Sequence, residues 1–222
     1  MNYGTVEEAI RSGAAAGTVP ALCRLALTDV VEGRREFRAV RHPLGFVCLP
    51  LYRDGVSGVC IHVWSASFPA AEITTSQVHA HSWDLESYVL YGRVGNHLLH
   101  VVDDPTDGTH RVFEVHSRGD IDEVRPTARR VRCRSARHET TGPGGTYRLA
   151  AGLFHASVVA NGADAATVAL GRSRPALDLS LGKLDTPTHW VVRLHCGPQE
   201  TVEAATMVLT KLADQARTLR PR

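Results

Sequence analysis

The chain has 222 residues, of which 43% are hydrophobic and 22% charged, and this composition excludes an intrinsically disordered protein and predicts one folded domain. No apolar run approaches the roughly 20 residues of a membrane-spanning helix. The formal net charge of +2 is too small to indicate a nucleic-acid partner. We therefore expect neither a membrane nor a nucleic acid among its partners.

The N-terminus and the cysteines both bear on the cellular compartment. Residues 1–8 include Glu7 and Glu8 and lack the basic start and apolar stretch of a signal peptide. The chain has five cysteines, an odd number without a CxxC pair, which is typical of reduced thiols. They are Cys23, Cys48, Cys60, Cys133 and Cys196. We expect a cytoplasmic protein in which the cysteines are small core residues.

Residues 1–43 predict a helical cap. Thr5 and Glu8 have the spacing of a capping box, so a short helix is expected to begin there. Pro20 can open a second helix, and Gly33 can end it.

Residues 44–175 change to short β-rich runs separated by Gly, Pro, Asp and Asn, the pattern of an antiparallel sandwich or barrel. The predicted strands are Phe46–Tyr52, Val59–Trp64, Ser87–Tyr91, Asn96–Val102, Arg111–His116, Arg129–Arg134, Tyr147–Ala150 and Thr167–Leu170. Because side chains alternate along a strand, Cys60, His62 and Trp64 share one face and could line a pocket.

Residues 176–222 predict a C-terminal extension with one helix. Apolar residues recur at helical spacing between Thr201 and Gln215. They are Val202, Ala205, Leu209, Leu212 and Ala213. We expect this helix to pack on the outside of the barrel.

A pair of histidines is the first indication of chemistry. His79 and His81 are separated by one residue, so in a strand both imidazoles project from the same face and can take adjacent positions on a metal. Gly92 follows at the end of the next predicted strand. The HxH pair alone is weak evidence.

A second segment strengthens the case. Gly144 is followed by Ala150, Gly152 and His155. The two segments together resemble the paired motifs of the cupin superfamily, with Ala150 in the place of the usual proline. The resemblance covers roughly residues 44–175. It implies an all-β core, the cupin double-stranded β-helix or jelly-roll barrel, with flanking N- and C-terminal α-helices. It also implies a divalent metal bound by His79, His81 and His155.

The first segment departs from the cupin pattern at one ligand. The position at which cupins usually have a glutamate ligand is Leu85 here, although Asp84 and Glu86 flank it. We favour a three-histidine site. The alternative is a register shift that brings Glu86 into the fourth place, which would need a bulge because a one-residue slip turns a side chain to the opposite face.

The missing glutamate and Trp83, just after the HxH pair, resemble the thiol dioxygenases, which are cupins that bind iron through three histidines. Those enzymes add a Ser-His-Tyr relay after the third histidine. Residues 168–172, where the relay should begin, read Val-Ala-Leu-Gly-Arg. We therefore do not expect a thiol dioxygenase in the strict sense.

The leading hypothesis for function is a mononuclear non-haem Fe(II) oxygenase acting on a small molecule, since three imidazoles leave coordination positions open for substrate and dioxygen. A Zn, Mn or Ni site could instead serve a lyase, isomerase or hydrolase, with Glu86, Asp84 or His62 as general base. A non-catalytic ligand-binding module is a further alternative. The resemblance to cupins also implies a possible homodimer.

The arginine-rich run Arg129–Arg134 admits two interpretations. Arg130, Arg132 and Arg134 share one face of the predicted strand and could bind an anionic substrate or partner. We favour a solvated, charged edge strand.

Overall fold

The computed structural model describes residues 1–69 and 71–218. Its helices are α1 (Tyr3–Arg11), α2 (Ala15–Val31) and α3 (Pro198–Thr218). Among the described residues, no helix combines the length and the apolar character needed to cross a membrane.

The rest of the described chain is built mainly from strands, which form two antiparallel sheets. In chain order they are β1 (Val40–His42), β2 (Phe46–Asp54), β3 (Ser57–Trp64), β4 (His79–Ala80), β5 (Leu85–Tyr91), β6 (Val94–Asp103), β7 (His110–Arg118), β8 (Ile121–Thr141), β9 (Thr146–Leu149), β10 (His155–Val158), β11 (Ala165–Arg172), β12 (Asp178–Gly182), β13 (His189–Val192) and β14 (Leu194–His195).

Successive strands alternate between the two sheets from β3 to β6 and again from β8 to β12. The first sheet has the order β14-β1-β2-β3-β11-β5-β9, and the second has the order β13-β8-β6-β10-β4-β12-β7. The chain therefore passes from β3 across to β4, back to β5 and across again to β6, which is the winding of a double-stranded β-helix. This topology confirms the predicted jelly-roll core with helices at both ends.

The second sheet also closes on itself. Strand β7 pairs with β12 on one side and with the first half of β8 on the other, whereas the second half of β8 pairs with β6. A small apolar cluster lies among the strands of this ring. Its buried members, which are on these strands or next to them, are Ala80, Val112, Val131, Phe154 and Leu181. The ring thus has a small core of its own.

The helices cover the outer face of the first sheet. Val59, Ile61 and Val63 of β3 pack with helix residues in the largest apolar cluster, whereas Cys60 and Trp64 belong to the cluster between the sheets. The predicted alternation along this strand is confirmed. It separates a helix-covered face from a face that lines the barrel interior.

All eight predicted strands overlap observed ones. Six strands of five residues or fewer were missed, namely β1, β4, β10, β12, β13 and β14. The segment after residue 175, predicted as an extension, contributes three strands to the sheets: β12 pairs with β4 and β7, β13 with β8, and β14 with β1. The barrel therefore uses residues on both sides of that predicted boundary.

The predicted start of the first helix is wrong by a few residues. Asn2, not Thr5, is the N-cap, because the Asn2 side-chain oxygen accepts hydrogen bonds from the Thr5 backbone N–H and hydroxyl, both at 2.9 Å. Pro20 lies inside α2 rather than at its start.

Two arginines of the run Arg129–Arg134 on β8 lie beside acidic partners. Arg129 lies 3.0 Å from a carboxylate oxygen of Asp103, and the Nε of Arg132 lies 2.7 Å from one of Asp104. The two arginine side chains are about half exposed. Of the three arginines predicted to share a face, Arg132 is engaged in ion pairs with Asp104 and Asp107, which fits a solvated, charged surface.

Packing of α2 on the first sheet generates a stability prediction. Leu27 is fully buried in the helix-covered cluster, whereas Leu25 on the same helix is 69% exposed. We expect Leu27→Ala to lower the free energy of unfolding by about 2–5 kcal/mol, because it removes buried methyl groups and leaves a cavity. Leu25→Ala, the matched control, should change it by no more than about 0.5 kcal/mol in urea unfolding. Equal effects of the two variants would contradict this packing.

Candidate metal centre

Three histidines meet where β4 and β10 pair. His79 lies directly opposite His155 in the antiparallel register, and His81 follows immediately after β4. One ring nitrogen from each histidine can be chosen so that all three lie within 4.8 Å of one another. The ring centroids are 4.3 Å apart for His79 and His155, 4.8 Å for His79 and His81, and 5.2 Å for His81 and His155. The structure therefore brings the predicted ligand set together.

Backbone carbonyls orient two of the rings. Nδ1 of His79 lies 3.0 Å from the carbonyl oxygen of Gln77, and Nδ1 of His155 lies 2.9 Å from that of Leu153. An Nδ1–H that donates to a carbonyl leaves Nε2 unprotonated and available to a metal. Nε2 of His155 is buried and has no hydrogen-bond partner among residues 1–69 and 71–218. A bound cation would satisfy this nitrogen, so the residues fit a metal.

The centre favours neutral imidazoles. Burial lowers the pKa of His79 to about 3, with a further contribution from His155, and lowers the pKa of His81 well below its usual value. Burial also lowers the pKa of His155, which is 1% exposed. Imidazoles that stay neutral keep the lone pairs that a metal requires.

The motif glycines have a structural role. The N–H of Gly152 donates to the carbonyl of His81 at 2.8 Å, which ties the second motif to the first. Gly152 has φ +78°, a left-handed conformation that favours glycine. Gly92 has φ +74°, and a Cβ there would collide with the backbone of Asp164 and Ala165.

Trp83 supports the ring of His81. The two rings stack with centroids 4.5 Å apart and planes 29° apart. Trp83 lies over Gly171 of β11, where a Cβ would come within 2.7 Å of the indole. Gly171 lies in the segment where a thiol dioxygenase would have its relay. It therefore makes room for Trp83, which packs on the predicted ligand His81.

The structure does not bring Glu86 to the histidines. Leu85 and Val89 of β5 lie in the cluster between the sheets, so Glu86, one residue out of phase, points to the opposite face. There its carboxylate forms an ion pair with Arg148, beside Arg11 of α1. Strands β5 and β9 keep regular register at this point, so the shift that would place Glu86 as fourth ligand does not occur.

Asp84 is also turned away from the centre. One carboxylate oxygen accepts the N–H of Ala151 at 2.9 Å, and the other forms an ion pair with Arg174. Its side chain is 58% exposed. Among residues 1–69 and 71–218, the histidine group contains no aspartate or glutamate.

His62 lies on the interior wall of the first sheet. Its ring stacks on Phe46 with centroids 4.2 Å apart, and Phe46 stacks in turn on His42 at 4.4 Å. Phe46, on which His62 stacks, and Trp83, which stacks on His81, both pack in the cluster between the sheets, so His62 faces the same interior as the centre. The predicted pocket face of β3 thus does line the barrel.

Two cysteines lie beside His62: Cys60, which the alternation along β3 predicts on the same face, and Cys48, which was not expected there. Sγ of Cys60 lies 3.3 Å from Nε2 of His62, and Cys48 is close to both. The hydrogen bond from Cys48 lowers the pKa of Cys60, with a further contribution from His62, whereas that bond and burial raise the pKa of Cys48. The alternation along β3 could be used to place Cys60 and His62 on one face. Cys48 could not be placed in this way, because it joins them only through the pairing register of β2 with β3.

A layer of polar side chains inside the barrel was also missed. Ser87, Asn96 and Thr167 are fully buried, and each has a side-chain polar atom without a hydrogen-bond partner in the described part of the chain. Burial raises the pKa of Tyr147, and interactions with these three side chains partly offset the rise. Isolated Ser, Thr and Asn residues in predicted strands give no sequence signal for such a layer.

No protein-family model and no curated protein sequence matches the chain. Among solved structures, the chain is similar to the polyketide cyclase RemF from Streptomyces resistomycificus, at 19% identity over 64% of this chain and 72% of that chain, with a TM-score of 0.35. It is similar to hydroquinone 1,2-dioxygenase from Sphingomonas sp. TTNP3 at 12% identity, over 57% of this chain and 65% of that chain, with a TM-score of 0.36. It is similar to FeII HppE at 12% identity, over 57% of this chain and 49% of that chain, with a TM-score of 0.32.

The convergence of the three imidazoles predicts the effect of removing one. His155→Ala should lose the metal equivalent held at this centre and remain folded, because two imidazoles do not complete the ligand set. The control is His100→Ala, which changes an exposed histidine of β6. Anaerobic Fe(II) titration, with circular dichroism to monitor the fold, measures both variants. Full occupancy of the centre in His155→Ala would contradict the three-histidine assignment.

The contact of Trp83 with Gly171 gives a second prediction for the same centre. Gly171→Ala should displace the indole from His81 and weaken Fe(II) binding by about tenfold, the lower end of effects seen when a ligand's support is altered. Gly58→Ala is the matched control, because Gly58 lies opposite Gly171 in the register and its Cβ would meet nothing nearer than 3.7 Å. Similar affinities for the two variants would show that Trp83 does not position His81.

Proposed function

We propose that the protein is a mononuclear non-haem Fe(II) oxygenase that acts on a small molecule. The observation that supports this most directly is a set of three converging imidazoles, of which His155 is buried and has an Nε2 without a partner among the described residues. The absence of Asp and Glu from this group among the described residues leaves a neutral ligand set. Iron bound there would supply the redox chemistry that activates dioxygen, with coordination positions left open.

The protein side chains would hold the ligands still and limit water at the centre. The backbone carbonyls of Gln77 and Leu153 fix two imidazoles in the tautomer that presents Nε2. Trp83 stacks on the third, His81. His155 is almost fully buried, whereas His79 and His81 are half-buried, so access to the centre is from their side.

The interior wall is suited to a small, partly apolar substrate. Phe46 and Trp64 present aromatic surface between the sheets, next to His62. Such a wall binds apolar surface, while a few polar groups set the orientation of the ligand. His62 is the polar group of this wall that is best placed for that role.

A Lewis-acid enzyme, a lyase or isomerase with Zn, Mn or Ni, is the second candidate. Three imidazoles suit zinc as well as iron, and His62 lies inside the barrel where it could act as general base. Glu86 and Asp84 do not support this candidate, because both are engaged in ion pairs away from the histidines.

We propose a cytoplasmic location, supported by five cysteines that are all free thiols. We also propose a homodimer formed through a sheet edge, on the resemblance to cupins.

Oxygen consumption tests the proposed reaction. Protein reconstituted anaerobically with Fe(II) should consume dioxygen only when a substrate is present, in a panel of small thiols, amino acids and catechol-like acids. His155→Ala should lose this uptake and His100→Ala should keep it. No uptake with any panel member, together with turnover or ligand binding by the Zn²⁺ form, would favour the Lewis-acid candidate or a binding module instead.

A further inference from the structure

Strands β2 and β3 place three metal-ligating side chains side by side on their interior face. Cys48 lies directly opposite His62 in the antiparallel register. Cys60 lies two residues before His62 on β3, so both side chains project from the same face. None of the three belongs to the histidine centre.

The distances suit a single small cation. One ligand atom from each of Cys48, Cys60 and His62 can be chosen so that all lie within 4.8 Å of one another. Sγ of Cys60 and Nε2 of His62 are 3.3 Å apart. A tetrahedral zinc ion, with Zn–S of about 2.3 Å and Zn–N of about 2.0–2.1 Å, separates such a pair of ligand atoms by about 3.6 Å. Small side-chain adjustments would therefore suffice.

The other cysteines show no comparable arrangement. Cys23 and Cys196 are buried in the cluster beneath the helices, and Cys133 packs against the core of the second sheet. Within the described ranges, the only groups of metal-ligating side chains at this spacing are the three histidines and the set of Cys48, Cys60 and His62.

We propose that Cys48, Cys60 and His62 form a second metal site, specific for Zn²⁺ and separate from the histidine centre. Two thiolates and one imidazole are a softer ligand set than three imidazoles and favour zinc. Three protein ligands leave the fourth tetrahedral position to water or to a ligand group. Binding converts both thiols to coordinated thiolates and releases their two protons to solvent.

The proposal goes beyond the oxygenase and does not depend on it. If zinc occupies this site, Nε2 of His62 is a ligand and cannot serve as a general base. The barrel would then hold two metals of different chemistry in one interior, one bound only by imidazoles and one bound by thiolates.

Cobalt binding tests the site in a protein that lacks the histidine centre. Reduced, metal-free His155→Ala is titrated with Co²⁺ and followed by absorption in the near ultraviolet. We expect one equivalent to give a thiolate-to-cobalt charge-transfer band. Adding Cys60→Ser should remove the band, and adding Cys133→Ser, the matched control, should leave it unchanged. No band in His155→Ala, or a band that survives Cys60→Ser, would overturn the proposal.

Thiol protection in the wild-type protein provides a test that needs no variant. The reduced protein is alkylated with and without one added equivalent of Zn²⁺ beyond that needed to fill the histidine centre, and the modified cysteines are identified by mass spectrometry. Zn²⁺ should protect Cys48 and Cys60 but not Cys133. Alkylation of Cys48 and Cys60 at the same rate in both samples would reject the site, whatever the outcome of the oxygen-uptake experiment.

Discussion

The pairing of β4 with β10 is the constraint on which the candidate centre depends. Strand β4 has only two residues, yet it lies between β10 and β12, and its His79 is aligned with His155 on one side and Ser180 on the other. Because both neighbours are paired into the larger sheet, the backbone of His79 has little freedom. The imidazoles are therefore brought together by the fold before any metal binds.

Burial between the sheets lowers the pKa values of the three histidines. Between the sheets, burial disfavours the protonated form of each ring, so the lone pairs remain available at neutral pH. The helices stabilise this interior indirectly. They cover the outer face of the first sheet, and the interior face of that sheet presents His62, Cys60 and the aromatic wall.

Much of the fold and of the histidine centre could be predicted from sequence. The long strands have clear alternation, and the glycine and histidine spacings reflect a left-handed turn at Gly152 and a tight backbone contact at Gly92. Strands β4 and β10 were missed because two and four residues are too few to show a period. These strands are defined by their pairing with strands elsewhere in the chain, and the sequence pattern does not show which strands pair.

The errors in the candidate site have the same origin. Glu86 was a reasonable candidate until the register of β5 and β9 placed Arg148 opposite it. Cys48 looked like an ordinary core residue until the register of β2 and β3 placed it opposite His62. In both cases a partner on the neighbouring strand, rather than the residue itself, decides what the side chain can do.

X-ray absorption at the iron K-edge, on protein purified without added metal and without a histidine tag, reports whether the three histidines bind iron. We expect iron at about one atom per chain, with nitrogen and oxygen neighbours and the multiple-scattering pattern of imidazoles. Iron with sulfur neighbours, or protein whose histidine centre holds another metal and does not exchange it for Fe(II), would show that the histidine centre is not an iron site.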